Sequence, residues 1–408
     1  MRTLTAIMLG ALVLAVTNCS GSQAFPPVNP QARLVPEKEY TLVYWDVELP
    51  ALLDPQGAYK PFVENLIAEF CADNPGITVK NEWLRWSGAE GQLARALRDG
   101  NPPDLWADWQ GLARRDHVLQ VPAGLWLDSE QLTPAGKGGG SHGGVIWAWP
   151  RWIWPGGLLT LRSTLGLSPG ELEKLVCSRW DWDELGGWLQ QSDLYMEVND
   201  WQGQFTAQVL MAATGSAFGH WGGQELEGYF SGARLLAAEG RLAGTGEYRK
   251  LTGGKYIIGG FPPTLVTWLA ENLSEEEVVL LPLPGSAAIP SAGANLVQFR
   301  QIKYLGDDHT RAAAMLAEFL AERQSKELAA TLWAAPAWKG TWDGGNLPSW
   351  YLQVLEDARE RGEPIYPVDC QGREKEMVLR FRASPVLADF WRGKAAAEDV
   401  ARRLEELQ

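Results

Sequence analysis

The sequence contains little histidine, little cysteine and a deficit of positive charge. Its four histidines are scattered without metal-ligand spacing, and its four cysteines include no CxxC pair. A formal net charge of -14 disfavours nucleic acid and anionic membrane surfaces, whose phosphates would be repelled. We therefore expect no metal, no cofactor and no nucleic-acid partner. Cys71, Cys177 and Cys370 allow one disulfide in an oxidising compartment, which the sequence does not assign.

The chain also lacks an apolar run long enough to cross a membrane. Residues 4–16 are mostly apolar but fall short of the about 20 residues that a spanning helix needs. Following Arg2, they are typical of a secretory signal peptide. Two processing sites stay open: cleavage after Ala24, or lipidation of Cys19 in a sequence that resembles a lipobox. The Ser-, Gly-, Gln- and Pro-rich residues 20–36 favour lipidation, because they would serve as a tether. We expect an exported protein, periplasmic or at the cell surface, held to the membrane by a lipid.

Tryptophan, in contrast, is abundant, with 21 residues among 408. An apolar content of 46% and a charged content of 21% are typical of a folded soluble protein, and the length allows two domains. A core needs few tryptophans, because a buried indole N–H must find a partner. Packing in the core and at interfaces explains most of them. The remainder indicate a site for a ligand with flat apolar faces, such as a sugar.

The stretch 83–109 predicts the end of one strand, a helix and a second strand. Ser87 and Glu90 have the spacing of a capping box. Gly100 and the prolines that follow it end the helix. An earlier strand and helix within residues 41–71 complete two consecutive crossover units, which require parallel strands with helices on the faces of the sheet. Ligands bind at the carboxyl ends of such strands.

Acidic and aromatic side chains stand directly after these strands. Asp46 follows the first strand and Trp86 the second. Asp108 and Trp109 stand at the end of the third. Because the carboxyl ends of parallel strands share one edge, we expect these four residues in one crevice, with Trp86 and Trp109 facing the ligand.

The segment 145–154, VIWAWPRWIW, is the densest aromatic run of the chain. One interpretation is a buried strand that crosses between lobes, with Pro150 where the ladder is interrupted. The other is that some of its rings face a cleft. The glycine-rich residues 136–144 before it predict a mobile surface loop. The acidic sequence DWDE that begins at Asp181 is interpreted as the start of a helix rather than as acid–base machinery.

Taken together, these motifs resemble the extracellular solute-binding proteins that serve ABC importers, in the carbohydrate-type group of the maltose-binding protein family. The blocks that carry the resemblance are FVENLIAEFCADNPGITVKNEWLRW, ALRDGNPPDLWADW, GGVIWAWP and GGKYIIGGFPP. The resemblance implies an α/β fold of two lobes, each a mostly parallel sheet flanked by helices, joined by crossing hinge segments. The implied division is a signal segment 1–24, a tether 25–39, a first lobe 40–149 plus 278–305, and a second lobe 150–277 plus 306–408.

The resemblance also implies where a solute binds. The positions that match the family's ligand-binding places are Trp45, Asp46, Trp86, Asp108, Trp109, Trp152, Trp154, Phe261 and a late aromatic residue, Trp338 or Trp342. No residue is expected to have a catalytic role or to bind a metal.

The leading hypothesis is the substrate-binding component of an ABC importer, a monomer that captures a sugar or oligosaccharide in the cleft between the lobes and delivers it to permease subunits. Indole faces would stack on the apolar faces of a pyranose, and carboxylate and amide groups would bind its hydroxyls. Two alternatives stay open. One is a secreted carbohydrate-active hydrolase, which needs two carboxyls flanking the bond. The other is a binding protein for a non-sugar solute such as a polyamine or a glycerophosphodiester.

Overall fold

The described part of the chain is a mixed α/β structure. The computed structural model describes residues 28–407 except 52, 55, 110–117, 123–127, 143–144, 169, 173–179, 192–194, 199–203, 215–222, 239–241, 244–255, 261–277, 287–288, 301–303 and 365–372. Its strands are β1 (Tyr40–Glu48), β2 (Ile77–Arg85), β3 (Leu105–Asp108), β4 (Ser141–His142), β5 (Val145–Ile146), β6 (Trp149–Pro155), β7 (Leu158–Leu161), β8 (Tyr195–Val198), β9 (Leu242–Ala243), β10 (Tyr256–Gly259), β11 (Val278–Leu281), β12 (Ile289–Gln298), β13 (Ala335–Pro336) and β14 (Gly362–Pro364). Its helices are α1 (Tyr59–Asp73), α2 (Ala89–Arg98), α3 (Pro134–Gly140), α4 (Arg162–Leu165), α5 (Trp182–Gln191), α6 (Gln204–Thr214), α7 (Gly223–Ala238), α8 (Asp307–Leu328), α9 (Ser349–Arg361), α10 (Arg373–Trp391) and α11 (Ala397–Glu405). None of the helices in these described ranges combines the length and the apolar character needed to cross a membrane.

The first sheet contains the strands predicted around residues 83–109. Its order is β13-β6-β12-β3-β1-β2, and β14 pairs with β12. β1 runs parallel to β2 and to β3, because α1 and α2 carry the chain back between successive strands. The predicted order of strand, helix, strand, helix and strand is therefore confirmed.

The predicted cap of α2 is wrong. The helix begins at Ala89, and Gly88 occupies the cap position without a side-chain hydrogen bond. Ser87 lies instead in a turn that is closed by the Gly88 N–H, which donates to the Arg85 carbonyl at 3.0 Å. The cap predicted at Asp181 does form: the Glu184 N–H donates to Asp181 Oδ1 at 2.9 Å, and the Asp181 N–H donates to Glu184 Oε2 at 3.0 Å.

The second sheet has a hydrophobic core of its own. Its order is β11-β7-β10-β8-β9. The buried residues that form this core come from its strands and from α5, α6, α7, α10 and α11, and include Leu158, Leu185, Met196, Phe205, Phe230, Ile257, Leu281, Phe390 and Leu404. Two sheets, each with a core cluster of its own, correspond to the two lobes that the sequence predicts, although one face of β7 and β11 packs on the first cluster.

The structure corrects the expected division between the lobes. β11 pairs with β7 and so belongs to the second sheet, although residues 278–305 were expected in the first lobe; β12 does lie in the first sheet. Helices α8 and α9 pack on the core of the first sheet, although residues 306–408 were expected in the second lobe. A short apolar strand or an amphipathic helix shows in the sequence that one of its faces is buried, but not which sheet buries it.

The chain crosses from the first sheet to the second at Gly157. β6 ends at Pro155 and β7 begins at Leu158. Gly157 has a φ of +120° and donates its N–H to Gln208 Oε1 at 3.0 Å. A Cβ at this position would lie 2.5 Å from the Leu281 carbonyl oxygen. Both the φ and the close approach require glycine. The segment 145–154 was expected to cross between the lobes, with the second lobe beginning at residue 150; β6 instead belongs to the first sheet, and the chain crosses directly after it.

The described residues 136–142 of the predicted mobile loop instead form the end of helix α3 and strand β4, and three of the glycines in the helix are buried. Thr133 caps helix α3, because its side-chain oxygen accepts the Gly136 N–H at 3.1 Å. Gly136 and Gly140 lie buried in this helix. A Cβ on Gly136 would lie 2.5 Å from the Ala337 carbonyl oxygen. The prediction is wrong because the glycines allow a close approach of backbones, which composition alone does not distinguish from a flexible loop.

Helix α8 covers the first sheet. Ala313, Leu316 and Leu320 are buried, as the amphipathic pattern predicts. At the start of the helix, Asp308 accepts hydrogen bonds from Lys38 Nζ at 2.5 Å and from the Tyr40 hydroxyl at 2.9 Å. These bonds attach α8 to the amino end of β1.

We expect Gly136→Ala to lower the free energy of unfolding by about 1–3 kcal/mol, because the added methyl group overpacks against the backbone at Ala337. The matched control is Gly139→Ala in the same helix, where a Cβ would meet no atom within 4 Å. The control should be neutral or stabilising, since alanine favours helix over glycine by up to about 1 kcal/mol. Urea unfolding followed by tryptophan fluorescence compares the two, and equal midpoints would contradict the close-packing interpretation.

We also expect Glu318 on α8 to make stability depend on pH. Burial raises the pKa of Glu318 to about 7, with Arg311 opposing and Glu322 adding to the shift. The folded state therefore binds the proton more tightly than the unfolded chain. The stability from this carboxyl is fully present below its ordinary pKa of 4.5 and is lost as the pH rises through about 7. Glu318→Gln should raise the melting temperature at about pH 8 and change it little at about pH 4. The exposed Glu360→Gln on α9 is the control, and a pH-independent effect of Glu318→Gln would contradict this assignment.

Candidate functional site

Three strands of the first sheet bring aromatic side chains to one edge. Glu48 pairs with Arg85 where β1 and β2 end, so Trp86 leaves β2 at this edge. β3 is parallel to β1, so Trp109, the residue after β3, leaves at the same edge. β6 is antiparallel to β12, which is antiparallel to β3. β6 therefore runs in the direction of β3, and Trp154 near its end reaches this edge as well.

Four of the predicted site residues contact one another here, and we call them the tryptophan cluster: Trp86, Trp109, Trp152 and Trp154. The ring centroid of Trp109 lies 5.0 Å from that of Trp152 and 6.0 Å from that of Trp154. The centroid of Trp86 lies 6.2 Å from that of Trp109. Trp109 and Trp152 are buried, with 8% and 1% of their surface exposed, whereas Trp86 and Trp154 are half-buried. The cluster thus has a buried layer and an outer layer that reaches solvent.

Asp46 packs behind this cluster with 0% of its surface exposed. Its Oδ2 accepts hydrogen bonds from the hydroxyls of Tyr44 at 2.5 Å and Tyr59 at 2.6 Å. Its Oδ1 accepts from Trp109 Nε1 at 3.0 Å and from the Val47 N–H at 2.7 Å. Four donors fill the acceptor positions of a carboxylate. All acceptor positions of Asp46 are thus taken by protein donors in this structure, and its bond to Nε1 holds Trp109 in place. That Asp46 binds a solute directly stays a prediction.

A buried cation balances the charge of Asp46 through a phenol. Arg151 Nη1 donates to the Tyr59 hydroxyl oxygen at 2.9 Å, and Tyr59 in turn donates to Asp46. Burial, and then the charge of Asp46, hold the pKa of Tyr59 well above its ordinary value, although Arg151 acts in the opposite direction. Burial and Asp46 likewise raise the pKa of Tyr44. Both phenols therefore stay protonated at neutral pH and continue to donate to the carboxylate.

Three further predicted site residues, Asp108, Trp338 and Trp342, are not part of the tryptophan cluster. Asp108 is fully buried in β3. Trp338 is buried and donates from Nε1 to the Pro150 carbonyl at 2.8 Å. Trp342 is half-buried and donates to Glu356 Oε1 at 2.8 Å. Both late tryptophans are thus held by partners outside the tryptophan cluster.

Trp45 and Phe261 complete the predicted set. Trp45 is half-buried and points to the face of β1 opposite Asp46, because successive side chains of a strand alternate. Phe261 lies outside the described residues. Within the described part of the chain, no group of three His, Cys, Asp or Glu side chains is placed to hold a metal ion.

Three residues of the site, Tyr44, Tyr59 and Arg151, were not predicted as site residues from the sequence. Arg151 is the sole charged residue in the aromatic segment 145–155. An isolated charge in an apolar strand must find buried partners, and this was the signal that could have identified it. Tyr59 carries no comparable signal, because a tyrosine at the start of a helix is ordinary.

Comparison with known proteins shows what this architecture is similar to. No family model and no curated protein matches the chain. The solved structure of the sugar-binding protein MalE from the phytopathogen Xanthomonas citri matches with a TM-score of 0.64 at 17% identity, over 90% of this chain and 97% of that chain. A family 1 extracellular solute-binding protein from Bifidobacterium longum subsp. infantis matches with a TM-score of 0.65 at 12% identity, over 91% and 99%. The chain has the fold of the two-lobed extracellular solute-binding proteins.

A third structure with this solute-binding fold is the GacH receptor of Streptomyces glaucescens, solved unliganded and with acarbose. It matches with a TM-score of 0.55 at 14% identity, over 91% of this chain and 97% of that chain. The resemblance noted in the sequence is confirmed at the level of the fold. Proteins of this type close two lobes around a ligand. In this chain, Trp154 of the tryptophan cluster precedes the crossing at Gly157 by three residues.

We expect Asp46→Asn to lower the free energy of unfolding by about 3 kcal/mol, because it removes one partner of a buried charge network and leaves Arg151 without a counter-charge. The asparagine amide would also direct donors at groups that are themselves donors. The control is Glu48→Gln, since Glu48 is exposed and pairs with the exposed Lys60. Urea unfolding measures both variants, and an Asp46→Asn midpoint equal to that of Glu48→Gln would show that the buried network contributes little.

Proposed function

We propose that the protein is the substrate-binding component of an ABC importer that captures a sugar or oligosaccharide in the cleft between its lobes. One observation carries the proposal: four tryptophans gather at the carboxyl edge of the first sheet, beside the crossing to the second. The fold supports it, because the matched structures include a sugar-binding protein and a receptor solved with acarbose.

The outer layer of the cluster has the chemistry that a pyranose requires. Trp86 and Trp154 are half-buried, so part of each indole surface reaches solvent while the rest packs within the protein. A flat apolar surface of this kind suits the C–H face of a sugar ring, and removal of that surface from water supplies free energy. Sugar hydroxyls would take hydrogen bonds from polar groups that close over the ring from the second lobe.

Export and membrane attachment belong to the same proposal. The segment 1–24 would direct export, and either lipidation of Cys19 or cleavage after Ala24 would produce the mature protein. A lipidated Cys19 followed by the tether 25–39 would keep a monomeric binding protein beside the permease subunits that receive its solute.

The buried carboxylates weigh against the hydrolase alternative. A glycosidase needs two carboxyls that reach the bond to be cleaved. Asp46 and Asp108 are both fully buried, and the Asp46 carboxylate already accepts four hydrogen bonds. Incubation with oligosaccharides and a reducing-end assay tests this directly, and hydrolysis by the purified protein would favour the alternative.

A solute panel tests the binding function itself. Maltotriose, xylotriose, chitotriose and acarbose represent sugars, and spermidine and glycerophosphocholine represent the non-sugar alternatives. A solute that binds the folded state raises the melting temperature by mass action. We expect a sugar to produce this shift. A shift with spermidine or glycerophosphocholine alone would replace the sugar by that solute class.

For the sugar that binds, we expect Trp86→Ala and Trp154→Ala each to weaken affinity about tenfold, which corresponds to about 1.4 kcal/mol. The cause is the loss of a stacking face, so the fold should be retained. Trp188→Ala is the matched control, because Trp188 is equally half-buried but packs against Trp180 at the core of the second sheet. Isothermal titration calorimetry measures all three. A loss confined to Trp188→Ala would place the solute away from the cluster.

A further inference from the structure

Arg151 is brought to the tryptophan cluster by an irregularity in β6. Trp152 pairs with Ala294 and Pro150 pairs with Asn295, so Arg151 is an extra residue without a partner in the ladder. Such a bulge re-aims side chains and is frequent beside functional sites. As a result Arg151 does not alternate away from Trp152: its Cζ lies 4.4 Å from the centroid of that ring.

The guanidinium contacts both rings of the buried layer. Its Cζ lies 4.7 Å from the Trp109 ring and 4.4 Å from the Trp152 ring, whose planes are tilted by 46°. A planar cation can lie over aromatic faces in this way, whereas a lysine ammonium is a compact point charge. The Arg151 guanidinium therefore lies close to both of the tilted indoles.

The hydrogen bonds of Arg151 do not explain its burial. The residue is 0% exposed, and Nη1 alone makes hydrogen bonds, to Tyr59 and to Gln324 Oε1 at 3.1 Å. Nε and Nη2 have no hydrogen-bond partner among the described residues. A buried charge with unused donors costs stability. The contacts of the guanidinium with the Trp109 and Trp152 rings are the interactions that can offset this cost.

We propose that Arg151 is the positioning residue of the tryptophan cluster. It sets the planes of Trp109 and Trp152, and through Trp109 it sets the separation of the half-buried rings Trp86 and Trp154. A sugar then meets a surface that is already ordered, and binding avoids the cost of immobilising side chains. As far as the sugar is concerned, this proposal rests on the proposed function.

The experiment separates positioning from stability and from sugar binding. Neighbouring indoles couple optically, so the circular dichroism difference between the wild type and Trp109→Phe isolates the signal of the cluster without any solute. Arg151→Lys keeps the charge but loses the planar contact with two rings. The matched control is Arg359→Lys, since Arg359 is also buried but donates to Glu356 and to the Trp338 carbonyl.

We expect Arg151→Lys to lose the cluster signal and Arg359→Lys to retain it. Arg151→Lys should also bind whichever of maltotriose, xylotriose, chitotriose or acarbose binds the wild type about tenfold more weakly, the size expected when side chains must be ordered on binding. Arg151→Met, which fills the volume without charge, should lose the signal as well. If Arg151→Met does not fold, the comparison of Arg151→Lys with Arg359→Lys is sufficient to test the proposal.

Retention of the cluster signal in Arg151→Lys at the level of Arg359→Lys would overturn the proposal. So would a loss of the same size in both variants, which would indicate a general effect of removing a buried arginine. If maltotriose, xylotriose, chitotriose and acarbose all fail to bind the wild type, the proposed function fails. The solute-free signal still decides whether Arg151 positions the cluster.

Discussion

The edge of the first sheet depends on one buried carboxylate. Taken out of water, Asp46 requires a full set of donors, and those donors come from three different elements. Tyr44 and Val47 belong to β1, Tyr59 to α1, and Trp109 to the end of β3. The hydrogen bonds to Asp46 therefore fix the relative positions of β1, of α1, which follows it, and of the neighbouring strand β3. A rigid edge follows from electrostatics rather than from apolar packing alone.

The network also explains why the aromatic cluster has two layers. Arg151 supplies the counter-charge through Tyr59, and the raised pKa of that phenol keeps it a donor to Asp46. The rings nearest this network, Trp109 and Trp152, are thereby buried and fixed. The rings beyond it, Trp86 and Trp154, are half-buried and partly exposed to solvent. Order in the inner layer and exposure in the outer layer are together what a stacking surface for a small solute requires.

The sequence predicted the elements better than it predicted their environments. The order from β1 to β3 was predictable because apolar periodicity and turn chemistry act locally, and the shared edge of Trp86 and Trp109 follows from parallel connectivity. Whether Asp46 faces solvent or a phenol was not predictable, because Tyr59 meets it through the tertiary fold. The burial of Gly136 depends in the same way on Ala337, which is distant in sequence. The sequence also could not predict which sheet contains β11, because a short apolar strand does not show which strand it pairs with.

One ring of the tryptophan cluster lies close to the point where the chain crosses between the sheets. Trp154 lies in the strand that leads through Gly157 into the second sheet, so the outer ring and the crossing belong to one continuous segment. Trp154 is held to the first lobe, because its Nε1 donates to the Leu332 carbonyl at 3.0 Å. Gly157 is held to the second lobe by Gln208 and lies against Leu281. The short segment between Trp154 and Gly157 therefore joins a ring held by the first lobe to a glycine held by the second. Under the proposed function, a rotation of one lobe against the other would have to bend the chain at this segment, and the rings of the cluster would stay with the first lobe.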